Sequence, residues 1–172
     1  MAIRKIVKYP DPVLREISKR VEDPTSEELR QLVADMAETM YAASGAGLAA
    51  IQVGVPLRLF IVDAAIVGGS EEDPPLVFIN PELIELSEAK EISDEGCLSF
   101  PGIYVPIKRS LKARIRATDL AGATFELEGE RLLARAFQHE SDHLDATLLA
   151  DYVGRIKRQL IQRKLAKGED EP

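Results

Sequence analysis

The sequence predicts an α+β domain: a mostly antiparallel sheet packed around a central metal-binding helix, with further helices toward the N- and C-terminal ends. Three observations predict it. Apolar residues recur at helical spacing near both ends, at Leu29, Leu32, Val33, Met36 and Met40 and again at Ile156, Leu160, Ile161 and Leu165. Short apolar or alternating runs of strand length lie between them, at 57–63, 76–79 and 111–118. His139 and His143 are one helical turn apart in the pattern His-Glu-x-x-His, so a helix there presents both imidazoles on one face.

Taken in order, Pro10-Asp11-Pro12 makes a turn, with Asp11 placed to cap a short helix beginning at Pro12. Asp23-Pro24-Thr25-Ser26-Glu27-Glu28 starts an amphipathic helix that runs to about Ala43, and Ser44-Gly45-Ala46-Gly47 ends it in a turn. Residues 57–63 read as a buried strand and 67–75 as a loop rich in Gly, Pro and acids. The strand at 76–79 is expected to stop at Asn80-Pro81. The alternating run 111–118 turns through 119–124 into 125–128, a hairpin. A helix from about Glu130 to Leu144 carries the histidines, and a last helix spans about 154–167.

Composition narrows the class. A chain of 172 residues with 45% hydrophobic and 30% charged residues suits one soluble globular domain, 1–172. The net charge of −7 argues against a general nucleic-acid coat. One cysteine excludes an internal disulfide and fits a reducing compartment, and the first residues lack the apolar core of a secretory signal. No apolar run is long enough to span a bilayer, so the expected location is cytoplasmic, without a membrane.

The chemistry concentrates in three segments. His139 and His143 are the chain's two histidines, and Cys97 is its single thiol. Two imidazoles and a thiolate leave a fourth tetrahedral position for water, with Glu140 able to lean toward that water. The bland alternative is a pair of core histidines beside a solvated glutamate. Cys97 alone reads equally as a small buried hydrophobe, although Gly96 before it lets the backbone turn and approach an ion. A Cys–His nucleophilic pair is a further alternative, one that leaves the second histidine and Glu140 without roles. Gly45-Ala46-Gly47-Leu48-Ala49-Ala50-Ile51-Gln52 lacks the lysine of a phosphate loop. Its small residues allow a substrate backbone to lie against it, and Gln52 ends it with an amide donor; a plain helix-to-strand turn is the other reading.

Together these segments resemble the peptide deformylase family. The resemblance rests on Gly45 to Gln52, on Glu95-Gly96-Cys97-Leu98-Ser99 and on Gln138-His139-Glu140-Ser141-Asp142-His143-Leu144, in the family's order. Pro10-Asp11-Pro12 with Leu14-Arg15, and Asn80-Pro81, are weaker echoes. It implies Cys97, His139 and His143 as ligands of one divalent metal ion and Glu140 as the acid/base. It implies that Gln52 and the Leu98 N–H meet the substrate carbonyl oxygen, that backbone near Ala46 and Gly47 holds an extended peptide, and that Glu95 pairs with Arg109. The implied reaction is hydrolytic removal of the formyl group from formyl-Met at the start of nascent chains, with Fe(II) as the native ion and Zn(II), Ni(II) or Co(II) able to occupy the site.

Two positions depart from the family pattern. Asp145-Ala146 stands where many members have glycine two residues past the histidine block, so a positive φ there would strain Ala146. Tyr104 stands where many bacterial members have a substrate-contacting arginine. Two rival classes remain at this level. A zincin-type endopeptidase shares His-Glu-x-x-His but takes a downstream third ligand; a purely structural metal would fill all four positions with protein atoms. The segment 154–168 carries Arg155, Lys157, Arg158, Arg163, Lys164 and Lys167 without an acid. It reads either as a helix packed by its apolar stripe or as a basic face for ribosomal RNA, on an otherwise monomeric protein.

Overall fold

The computed structural model describes residues 2–70 and 72–170, and side chains as far as residue 168. Glu71, inside the loop expected at 67–75, lies outside the described residues, as do Met1, Glu171 and Pro172 at the ends of the expected domain.

Asp11 caps a 3-10 turn at Pro12–Arg15, its carboxylate accepting the Val13 N–H at 3.0 Å. Helix α1, Glu27–Ala42, begins at Ser26, whose hydroxyl accepts the Leu29 N–H, and two glutamates in its first turn complement the helix dipole. Its buried stripe of Leu29, Leu32, Val33, Met36 and Met40 packs on Leu48, Leu59, Ile61 and Ile79 of the sheet.

That sheet has five antiparallel strands in the order β1-β2-β3-β6-β7: β1 Gly47–Ala49, β2 Leu59–Val62, β3 Leu76–Leu86, β6 Lys112–Thr118 and β7 Thr124–Glu130. The alternate residues Phe60, Val62 and Phe78 face away from α1, toward helix α2, Leu132–Leu144. Phe78 stacks on Phe60 at 4.9 Å and meets the edge of Phe137 at 5.3 Å. A second sheet is the hairpin of β4, Lys90–Cys97, and β5, Phe100–Ser110. Helix α2 therefore lies between the large sheet and this hairpin, as the central position expected of it. Among the described residues no helix is long and apolar enough to cross a membrane.

Several expectations need correction. Asn80-Pro81 does not stop β3; the register shifts between Ile79 and Glu82, and the strand resumes to Leu86. Asn80 adopts φ 51° and its amide pairs with both backbone groups of Val21, which anchors the bulge. The β4–β5 hairpin was not expected, because β4 is charged and largely exposed and β5 contains Pro101 and Pro106. Helix α2 begins at Leu132 rather than Glu130, since Arg131 has φ 51°. The terminal helix α3, Arg155–Asp170, buries Ile161 and Leu165, whereas Ile156 and Leu160 are 77% and 55% exposed. Half of the expected stripe thus faces solvent.

After α2 the chain turns through Ala146 at φ 60°. The Thr147 N–H donates to the Asp142 carbonyl and the Ala146 N–H to the His143 carbonyl, a Schellman turn with alanine where glycine is usual. The turn keeps its shape and Ala146 bears the strain, about 1–2 kcal/mol for an L-residue in this region. Ala146→Gly should raise the unfolding free energy by about 0.5–1 kcal/mol, the relief being partly offset by glycine's larger unfolded-state entropy. Urea denaturation measures it; an unchanged or lower midpoint would show that the alanine is not strained.

Candidate metal centre

Helix α2 presents His139, Glu140 and His143 to the end of β4, where Cys97 closes the strand. The two imidazole centroids are 5.2 Å apart, and Cys97 Sγ is 3.4 Å from His143 Nε2. Donor atoms of Cys97, His139 and His143 all lie within 4.8 Å of one another. A tetrahedral ion with bonds of about 2.0–2.3 Å can gather donors at that spacing.

The second nitrogen of His139 is fixed. Its Nδ1 contacts Glu95 Oε1 at 2.8 Å, which turns Nε2 toward the thiol, as a carboxylate behind a metal-binding histidine does. Glu95, 5% exposed, also receives two bonds from Arg109 at 2.8 and 2.9 Å and one from Arg135 at 2.6 Å. Burial alone would raise its pKa; Arg109 and His139 overcome that and hold the carboxyl at about 2. Arg109 extends the network to Asp142 at 2.8 Å and to the Tyr152 hydroxyl at 3.0 Å, with its guanidinium over the Tyr152 ring. The expected Glu95–Arg109 ion pair is present, and buried.

Electrostatics around the donors favour a cation. Burial opposes charge on His139, yet the neighbouring Glu140 carboxylate and Cys97 sulfur keep its pKa well above the usual imidazole range. The same negative neighbours attract a metal cation. Burial, together with the positive charges of His139 and Arg109, pushes His143 well below that range, so it offers a neutral nitrogen. Burial drives Glu140 up to about 7, against the pull of His139.

The Glu140 carboxylate lies 4.0 Å from His139 Nε2, and its buried Oε1 has no protein hydrogen-bond partner among the described residues. Gly47 makes room for it: a Cβ at that position would come within 2.7 Å of Glu140 Oε2. Gln52 is buried, with Oε1 on the Ala49 N–H and Nε2 on Ser99 Oγ at 3.1 Å and Cys97 Sγ at 3.3 Å. These groups line one cavity of about 440 Å³, which also takes in Gly45, Ala46 and Leu98. The structure therefore brings together the candidate donors Cys97, His139 and His143, with Glu140, Gln52, Ala46, Gly47 and Leu98 lining the cavity beside them.

The residues match a known pattern over nearly their whole length: the family model described as polypeptide deformylase fits residues 3–159. The chain belongs to the polypeptide deformylase family. It is 46% identical over 170 residues to a peptide deformylase of Bartonella tribocorum, covering 97% of this chain and 93% of that protein. A peptide deformylase of Afipia carboxidovorans is 48% identical over 167 residues, covering 97% and 96%. The crystal structure of a peptide deformylase from Legionella pneumophila superposes with a TM-score of 0.90 at 43% identity, over 99% of this chain and 100% of that one.

Membership in the deformylase family does not by itself reveal the whole supporting network. Arg135 was not foreseen, although it lies one turn before His139 on the same face of α2 and the helical period could have found it. Asp142 and Tyr152, which hold the far side of Arg109, are joined to it by folding alone; Tyr152 lies beyond α2 and carried no sequence signal.

Proposed function

We propose that Cys97, His139 and His143 hold one divalent ion, and that the chain hydrolyses the formamide of formylmethionine at the start of newly made polypeptides, releasing formate. The observation that carries the reading is the convergence of these three donors beside a buried Glu140 oxygen that has no protein partner among the described residues, with Cys97, His139 and Glu140 facing one cavity. When bound, the ion acts as a Lewis acid that lowers the pKa of water from about 15.7 toward about 7. Thiolate and imidazole donors suit Fe(II), Zn(II), Ni(II) and Co(II); Fe(II) is the proposed native ion, to be read by metal analysis of protein purified without air.

Glu140 is the proton carrier. Burial raises its proton affinity, and Oε1 has no protein partner among the described residues, so Oε1 can accept a proton from the attacking water and return it to the amine as the C–N bond breaks. Gln52 and the Leu98 N–H serve the oxygen of the formyl group. Both Gln52 N–H groups already have partners, so the longer contact, to Cys97 Sγ at 3.3 Å, is the one that yields to substrate. The peptide lies along β1, an edge strand of the five-stranded sheet, in the manner of strand addition. The Ala46 carbonyl is taken by the Asp63 N–H at 2.8 Å and the Gly45 N–H is given to the Met40 carbonyl at 2.9 Å, which leaves the Ala46 N–H, the Gly45 carbonyl and the backbone of Gly47 for the peptide. Ile66, Leu132 and Ala136 give the methionine side chain an apolar wall.

The whole chain, 1–172, is proposed to act as one catalytic unit in the cytoplasm, a monomer that meets ribosomes through α3. The exposed Ile156 and Leu160 stand among Arg155, Lys157, Arg163 and Lys167, so this face offers both charge and apolar area. Co-sedimentation with ribosomes should occur at low salt and weaken as salt rises. Absence at low salt, or no change when those four cations become glutamine, would leave α3 a packing element.

Glu140→Gln should retain stoichiometric metal while kcat on a formyl-Met peptide falls by on the order of 100- to 10,000-fold. Acetyl-Met peptides should be poor substrates of the unaltered enzyme. Loss of metal with activity would make Glu140 a ligand, and cleavage of internal peptide bonds with formyl-Met left intact would favour an endopeptidase.

A further inference from the structure

The rim of the cavity carries an aromatic ring and a carboxylate that the chemistry above does not use. In the β4–β5 hairpin Gly96 pairs with Tyr104 and Asp94 with Pro106. Residues two apart on a strand share a face, as do directly paired ones, so Asp94 and Tyr104 project from the same face of the hairpin. A Cβ on Gly96 would come within 2.9 Å of the Tyr104 ring, so the ring lies across Gly96, beside Cys97. Both side chains line the cavity. The tyrosine is 69% exposed, and the exposed Asp94 carboxylate has no ion-pair partner among the described residues.

No lysine lines the cavity among the described residues; Lys108, the next pair along the same face of the hairpin, lies outside the lining. Arg135, the arginine lining the cavity, is committed to Glu95 and to the carbonyls of Ile107 and Glu91. We infer that Asp94 and Tyr104 form a subsite selecting a basic side chain on the residue that follows formylmethionine. A cation over a tyrosine face is attracted by the ring quadrupole, and the adjacent carboxylate adds a charge pair. An acidic side chain at the same place meets repulsion from both.

The inference rests on the deformylase reading and deepens it. With the formyl carbon at the donor cluster, an extended chain advances about 3.3–3.6 Å per residue. The first side chain takes the apolar wall, and the second residue leaves the cavity past Gly96, under the ring.

The test is a series of formyl-Met-X-Ala peptides with X as Arg, Ala or Glu, assayed by formate release. Expected kcat/KM falls in that order, with Arg over Glu by roughly tenfold at low salt, carried by KM and shrinking as salt screens the pair. In the Asp94→Asn, Tyr104→Ala double variant the ratio should fall to about one. Both side chains are exposed, so folding is not at stake, and metal content verifies an intact site. Equal rates across the series, a preference for Glu, or an unchanged ratio in the double variant overturns the subsite alone. Failure of the unaltered, metal-loaded protein to hydrolyse any of the three overturns the deformylase reading and the subsite with it.

Discussion

A single buried carboxylate organises the molecule. Glu95, on β4, binds Arg109 of β5 and both Arg135 and His139 of α2, so one side chain ties the hairpin to the central helix. A charge this far from water is tolerated where it is paired and hydrogen-bonded, and Glu95 satisfies both its oxygens with charged donors. The gain is geometric more than energetic. Buried ion pairs roughly cancel their own desolvation, but they admit one arrangement of the elements they join. Here that arrangement brings Cys97, two residues along β4 from Glu95, to the two imidazoles of α2.

Small residues supply the complementary constraint. The Glu140 carboxylate fits because Gly47 has no side chain, and Leu98 packs over Gly45, where a Cβ would come within 2.6 Å of Leu98 Cδ1. The edge strand β1 is thus the wall against which Glu140 rests, and in the proposed function it is also the rail along which an extended substrate lies. At its far end, α2 closes with Ala146 at φ 60°, so strain is accepted where the helix must stop and the chain turn toward α3.

The chemistry was legible in the sequence because it is local. His139, Glu140 and His143 lie within one helical turn and a half, and their pattern points to a metal centre before any folding is known. Cys97 and Gln52 became interpretable through their own short segments. The strand period likewise located β2, β6 and β7, within a few residues. What stayed hidden depends on long-range pairing. The β4–β5 hairpin shows no apolar alternation on its charged first strand, because that strand faces solvent and is held by backbone pairing and by Glu95. Asn80-Pro81 reads as a stop, yet Val21, distant in sequence, satisfies the asparagine and lets the strand continue. The apolar spacing of α3 was visible; that Ile161 and Leu165 face the core while Ile156 and Leu160 do not is settled by the domain they meet.

If Glu95 assembles the centre, its loss should be felt by the ion although no donor is touched. The direct measurement is Zn(II) affinity of metal-stripped protein, unaltered and Glu95→Gln, by competition with a chromophoric chelator. Removing a supporting partner of this kind typically weakens metal binding by about 10- to 100-fold, and a drop in that range is predicted for a folded variant. Unchanged affinity in a folded Glu95→Gln protein would contradict the account.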